Sequence, residues 1–242
     1  FGPLFGTISG IGLWLSLLLK SSFALVGFGA YLSILITINP DLTKYAAVGF
    51  LVIILFLNIL GIKKVGKVQI VIVSISLISL ILVLVFGVPK VNPELLKPLF
   101  SNGNIGLLST VAFVYISYAG VTKIAAIAGE IKNPSVNLPR AMLISLIIMT
   151  AVYVSVTFTL VGNIPLETLS TDLKPIYTIA NYLGGTYIGY IAAFVGVITL
   201  VSMANSGVLA ASRFPFAMAI DKLLPTFMAK IHSKYFTPIA TI

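Results

Sequence analysis

Long apolar runs separated by short polar stretches dominate the pattern of this chain. A helix needs about 20 mostly apolar residues to cross a bilayer. Six runs come close to or exceed that length, at about residues 4–38, 45–60, 68–88, 105–128, 141–162 and 185–212. Membrane barrel strands are about ten residues of alternating polarity, whereas these runs are longer and apolar all round. The pattern therefore predicts an all-α polytopic membrane protein with six transmembrane helices.

Composition supports a membrane protein and excludes several other classes. Only 9% of the 242 residues are charged, 59% are hydrophobic, and the mean hydropathy is +1.13. A soluble domain carries about a quarter charged residues, so a soluble enzyme is excluded, and so is a disordered chain. The absence of Cys and the single His argue against disulfides, Cys nucleophiles and multi-His metal sites. We expect no catalytic residue, no metal or other cofactor, and the lipid bilayer rather than nucleic acid as partner.

The distribution of charge predicts an orientation. If each helix crosses once, the stretches 61–67, 129–140 and 213–238 share one side of the membrane. They hold nine basic residues, namely Lys63, Lys64, Lys67, Lys132, Arg140, Arg213, Lys222, Lys230 and Lys234, against two acids. The other side holds four basic and four acidic residues. Cytoplasmic loops carry an excess of Lys and Arg, so we expect the first side, residue 1 and the C-terminal tail to be cytoplasmic, in a protein of the plasma membrane. The chain begins at Phe1 and ends in a new apolar run, which we interpret as an internal piece of a longer protein.

Two lysines interrupt the apolar runs and are costly at membrane depth. Lys20 lies in the middle of the first run, where it either faces a water-filled vestibule or an unseen helix, or has a direct role in transport. Lys123 follows a Ser-Tyr-Ala-Gly-Val-Thr stretch at residues 117–122. Because Gly120 lowers helix propensity, we predict a break in the helix between about residues 116 and 123, of the kind that builds transporter sites. The alternative is an unbroken helix with a tolerated glycine.

Glycine and proline predict packing and a helix boundary. Gly6, Gly10, Gly12, Gly27 and Gly29 lie in the first run. A phosphate-binding loop would end in Gly-Lys-Ser/Thr, and these glycines are not followed by that sequence. We therefore expect them to let helices approach closely. Pro134 should follow the end of the fourth run, and Pro139 should lie in the first turn of the next helix.

Three motifs together resemble the amino acid–polyamine–organocation superfamily of permeases. Residues 113–120, 128–134 and 139–141 resemble that family's sixth helix and the loop after it. Residues 58–61 and 67–69 resemble the turn between its fourth and fifth helices, and residues 212–221 with 224–225 the end of its eighth. The motifs come in the family's order and spacing, and the resemblance covers essentially the whole chain as helices three to eight.

The resemblance implies a leucine-transporter-type inverted-repeat fold. Residues 1–88 would end the first repeat and residues 105–242 would begin the second, within a single transmembrane domain fragment. The family's broken first helix, which carries half of the substrate site, would lie outside this chain.

The resemblance also implies site residues and a function. The substrate, an amino acid or a related small organic amine, would bind along the broken helix at Ser117, Tyr118, Ala119, Gly120, Val121 and Thr122. Many relatives carry a lysine at an ion site on the fifth helix, where this chain has Ser76. The expected coupling residues are Lys123, Ser76, Ser202 and Asn205.

Several alternatives stay open at this stage. We expect a secondary transporter working by alternating access, coupled to H⁺ through Lys123 or to Na⁺ at the position of Ser76. An uncoupled exchanger or uniporter is the alternative within transport. A membrane receptor or channel on the same scaffold is the alternative outside it. The sequence does not indicate an oligomeric state.

Overall fold

The computed structural model describes residues 2–36, 40–59, 65–97, 103–118, 120–121, 124, 131–232 and 238–241. Within these residues the regular structure is helical. The α-helices are α1 Gly2–Leu35, α2 Pro40–Ile59, α3 Val65–Gly87, α4 Gly103–Tyr118, α5 Pro134–Asn163, α6 Leu166–Thr171 and α7 Pro175–Ile220. Short 3₁₀ turns lie at Val88–Lys90, Pro93–Leu96, Thr226–Ala229 and Ile239–Thr241. The predicted all-α class is confirmed.

Five of the six predicted spans correspond to helices long and apolar enough to cross a membrane. In the part of the chain that the structure describes, these are Leu4–Leu35, Leu42–Ile59, Val68–Lys90, Pro134–Asn163 and Pro175–Ile220. The predicted continuous run over 105–128 is wrong in its length, because α4 ends at Tyr118 and its apolar part is Ile105–Tyr115. Six helices were therefore located correctly, but one of them stops part of the way along.

Two predicted helix starts come too late. α5 begins at Pro134, with Asn133 before it at φ 50°, and Pro139 lies inside the helix. Proline is favoured at the first helical position, and a second proline inside a membrane helix is tolerated. α7 begins at Pro175, in a stretch predicted to be a loop, and bends at Gly185, whose φ of 76° and ψ of −178° belong to a region that only glycine adopts readily.

The core lies where α1 runs antiparallel to α7. Leu17 packs with Ala210 and Ala211 in one cluster, and Ala24 packs with Ala204 in the next. The alanines leave room for the backbones of the two helices to approach closely. α1 and α7 thus form a closely packed frame at the centre of the bundle.

The glycine prediction is confirmed at three positions of α1 and stays a prediction at the other two. A Cβ at Gly10 would lie 2.8 Å from Met218 Sδ, and one at Gly27 would lie 3.3 Å from Leu200. A Cβ at Gly29 would lie 2.7 Å from Thr43 Cγ2 on α2. Among the described residues, nothing lies within 4 Å of a Cβ built at Gly6 or Gly12.

The helix ends lie at the ends of the bundle that are expected if each helix crosses the membrane once. The amide of Asn163, at the end of α5, donates to the carbonyl of Gly87, at the end of α3, over 3.0 Å. The Tyr31 hydroxyl, near the end of α1, accepts from the backbone N–H of Ile176, at the start of α7, over 3.3 Å. The C-terminal ends of α1, α3 and α5 therefore lie at the same end of the bundle as the N-terminus of α7.

Candidate functional site

The C-terminal end of α4 has lost its regular hydrogen-bond ladder. In an α-helix the N–H of Val121 would bond to the carbonyl of Ser117, but here it bonds to Tyr118 O at 2.9 Å. Ile124 likewise bonds back three residues, to Val121, at 3.3 Å, and Gly120 and Val121 form a turn. The predicted break is confirmed for these residues. Ala119, Thr122 and Lys123 lie outside the described residues.

The break leaves the carbonyl of Ser117 without its regular helical partner, and the amine of Lys20 binds to this carbonyl. Lys20 Nζ donates to Ser117 O over 3.0 Å, from α1 to the end of α4. A cation is favourable at a helix C-terminus because the last carbonyls carry partial negative charge. Lys20 thus contacts the predicted substrate segment, and its direct role in transport stays a prediction.

Lys20 and the break line a cavity of about 200 Å³. The lining residues come from α1, the end of α4 and α5: Lys20, Ser117, Tyr118, Gly120, Val121, Ile124, Ser145, Met149 and Tyr153. Gly120 lies close to the amine, since a Cβ at that position would be 3.2 Å from Lys20 Nζ, which is tighter than an ordinary van der Waals contact. The absence of a side chain at residue 120 therefore adds to the space of the cavity.

Tyr118 attaches α4 to α5. Its hydroxyl donates to Thr150 Oγ1 over 3.1 Å, and its ring meets that of Tyr153 edge-on with centroids 5.4 Å apart. The α5 contribution was missed by the sequence analysis. Its signal was the spacing of four between Ser145, Met149 and Tyr153, which puts all three on one helical face.

A second cavity, of about 390 Å³, lies between α3 and α7. It is larger, but its lining is apolar apart from Ser79 and backbone groups. Binding sites combine apolar walls with a few convergent polar groups, and only the smaller of these two cavities has a charged side chain. We therefore assign the candidate site to the cavity at Lys20.

The predicted coupling residues are divided between two contacts. Ser76 on α3 bonds to Thr199 on α7, with 2.5 Å between the two hydroxyl oxygens. Asn205 lies farther along α7, where its Oδ1 accepts from Asn58 Nδ2 of α2 over 2.7 Å. Ser202 is half-buried on the same helix between them. Ser76 thus reaches α7 as expected, but at Thr199, which the sequence analysis did not single out.

Comparison with known proteins gives consistent similarities. The sequence model of the family described as amino acid permease matches residues 1–242. The branched-chain amino acid permease BcaP of Bacillus subtilis is 26% identical over 221 residues, which are 88% of this chain and 48% of that protein. The serine/threonine exchanger SteT of the same organism is 27% identical over 249 residues, 98% of this chain and 56% of that protein.

A plant protein is similar as well. The vacuolar cationic amino acid transporter 4 of Arabidopsis thaliana is 29% identical over 195 residues, 78% of this chain and 32% of that protein. The chain spans about half the length of the bacterial relatives it matches.

Proposed function

The chain belongs to the amino acid permease family, and from that membership we propose that it is part of a secondary transporter that moves amino acids across a membrane by alternating access. It is an integral membrane protein. The relatives that it resembles are named as a branched-chain amino acid permease, a serine/threonine exchanger and a cationic amino acid transporter.

One observation carries the proposal: the interruption of α4 beside Lys20, at a cavity that a charged amine and hydroxyl groups line together with apolar side chains. Irregular backbone survives at membrane depth where it lines a cavity or is buried in protein. Secondary transporters use such broken helices to bring backbone carbonyls and N–H groups to a solute. The substrate-binding segment is then Ser117–Thr122, of which Ser117, Tyr118, Gly120 and Val121 line the cavity.

The size of the cavity favours a small solute. About 200 Å³ is below the roughly 300–1,000 Å³ of pockets for drug-sized ligands. The walls from α5 combine an apolar side chain, Met149, with the hydroxyls of Ser145 and Tyr153. An amino acid has the matching combination of charged backbone groups and a variable side chain.

Orientation follows from the charges at the two ends of the bundle. The end that holds the start of α5 and the end of α7 has the stretches 129–140 and 213–238, which are rich in Lys and Arg. We assign this end to the cytoplasm by the positive-inside rule, in the plasma membrane. The 89–104 and 163–174 stretches are then extracellular.

Coupling has two candidate positions in this proposal. A proton would be carried by Lys123. A sodium ion would bind at Ser76 and Thr199, whose oxygens also lie 2.8 Å from Ile72 O and 2.7 Å from Val195 O. Two hydroxyl protons cannot serve three such oxygen–oxygen contacts, so the cluster has acceptor capacity left for a cation. An exchanger without ion coupling uses neither position.

The test is uptake by the full-length parent in proteoliposomes, measured with a panel of radiolabelled amino acids. We expect at least one to be taken up or exchanged. Gly120→Leu should abolish that flux without loss of membrane insertion, because the new side chain fills the cavity and displaces Lys20.

Gly49→Leu is the matched control, since Gly49 of α2 has open space around it. It should transport at the rate of the parent. Ligand binding without flux in the parent would contradict transport and favour a receptor, and ion currents without saturation would favour a channel.

A further inference from the structure

We propose that Lys20 and Tyr153 form a carboxylate-binding pair in the cavity at the end of α4, so that the transporter accepts amino acids and rejects amines that lack a carboxylate. This inference rests on the proposed transport function. It adds to that function the residues that would discriminate amino acids from simple amines, whose amino groups are equally compatible with free helix carbonyls.

The first observation is the depth of the charge. Lys20 lies near the middle of the Leu4–Leu35 span, about 24 Å along the helix from its start and about 22 Å from its end at 1.5 Å per residue. A charged group at that depth is costly unless it is paired or faces water.

The second observation is the chemistry around that charge. Among the described residues, the cavity lining contributes hydroxyls and backbone carbonyls to Lys20 but no carboxylate. The described acids lie near the ends of the bundle: Asp41 at the start of α2, Glu94, Glu167 and Asp172 in the connections at that same end, and Asp221 after α7 at the other. Within the described part of the chain, the positive charge thus lacks an acidic partner.

The third observation is donor capacity. An ammonium group has three donors, and the described partner of Lys20 is the single carbonyl of Ser117. The amine can therefore keep α4 in place and still donate to a ligand. A ligand can therefore bind to Lys20 without breaking its hydrogen bond to Ser117.

Tyr153 supplies the second donor. Its ring is held against Tyr118, and its hydroxyl has no hydrogen bond to a described residue. Lys20 and Tyr153 line the same cavity from α1 and α5. A carboxylate between them would accept one charge-assisted and one neutral hydrogen bond, and charge-assisted bonds are about twice as strong.

The carboxylate has two sources, the α-carboxylate or the side chain of an acidic amino acid. Four probes distinguish them: leucine has only an α-carboxylate, 4-aminobutyrate has only the side-chain carboxylate of glutamate, glutamate has both, and 3-methylbutylamine has none. Each is tested with the purified full-length protein, by thermal stabilisation and by inhibition of amino acid uptake.

For the parent we expect leucine, glutamate or both to bind at least about tenfold more tightly than 3-methylbutylamine. This is the difference expected when a ligand lacks the partner of one hydrogen bond to a charged group. Lys20→Met should abolish that difference, and Lys20→Arg should retain most of it. If 4-aminobutyrate binds as glutamate does, the side-chain carboxylate is the ligand. If leucine binds and 4-aminobutyrate does not, the α-carboxylate is the ligand.

Two further variants guard against misfolding of Lys20→Met. Tyr153→Phe removes a donor and keeps the ring, and Gly120→Ala places a Cβ 3.2 Å from Lys20 Nζ, at a residue that lines the cavity, and so narrows the space for a ligand beside the amine. Both should reduce the preference for carboxylates. Lys97→Met is the control, because Lys97 pairs with Glu94 in an exposed connection, and it should leave the preference unchanged.

An unchanged ratio between carboxylate and amine ligands in Lys20→Met, Tyr153→Phe and Gly120→Ala would overturn the inference. That result is distinct from failure of the proposed function, which is the absence of amino acid flux in the parent. Thermal stabilisation reports carboxylate binding even in a protein that does not transport.

Discussion

The ring of Tyr31 lies against Gly196 so closely that a Cβ at position 196 would stand 2.6 Å from ring atom Cδ1. Tyr31 is buried, and its hydroxyl accepts a hydrogen bond from Ile176. One side chain of α1 thus contacts α7 on both sides of the bend at Gly185. The close packing of α1 on α7 therefore depends on the absence of a side chain at Gly196.

Gly196→Ala should destabilise the protein by about 1–3 kcal/mol, the usual range for overpacking a filled core. The rigid ring cannot withdraw without breaking its hydrogen bond to Ile176. Thermal unfolding of the purified full-length parent in detergent measures the change. Gly12→Ala in open space is the control and should be neutral or stabilising, since alanine is the better helix former. Equal effects of both would refute the packing role.

The Asn58–Asn205 contact should contribute about 0.6 kcal/mol and at most about 1.7 kcal/mol, as interhelical hydrogen bonds in membranes do. The buried Asn58 amide donates to Asn205 Oδ1 over 2.7 Å. A double-mutant cycle with Asn58→Leu and Asn205→Leu measures the coupling by thermal unfolding. Full additivity of the two single effects would mean that the side chains do not interact.

Ser76→Ala should raise the Na⁺ concentration for half-maximal uptake by about tenfold, if sodium is the coupling ion, because it removes one hydroxyl ligand. Ser74→Ala is the control, since Ser74 is exposed and bonds only within its own helix. Uptake by the parent that is the same in Na⁺ and in choline would exclude a sodium site at Ser76 and Thr199.

Lys123→Met should abolish concentrative uptake and its pH dependence while exchange of substrate continues, if Lys123 carries the coupling proton. Methionine keeps the length of the side chain and removes the group that is protonated. Uptake and exchange across a pH series in proteoliposomes separate the two activities. An active variant with the parent's pH profile would remove Lys123 from coupling.

Single cysteines should report the orientation, because the sequence has none of its own. Ser170→Cys in α6 should react with an impermeant thiol reagent in intact cells. Lys132→Cys, before α5, should react only after the membrane is permeabilised. The reverse pattern would invert the proposed orientation.

Much of this protein could be predicted from the order of its residues alone. Hydropathy located the helices, since a bilayer imposes length and apolarity on each span independently of its neighbours. The motifs around residues 113–120 indicated the family, and Gly120 marked the break in α4, because a glycine and a run of polar side chains weaken a helix locally. The division into two repeats, which depends on helices outside this chain, stays a prediction.

Only the tertiary structure decided which groups meet. Lys20 and Ser117 are 97 residues apart, and hydropathy carries no information on how α1 is rotated about its axis. The same limit explains why Thr199 rather than Ser202 meets Ser76, and why Gly10 is packed while Gly12 is not. Facing side chains are selected by the mutual packing of α1, α3, α5 and α7, which depends on the shapes of all their surfaces at once.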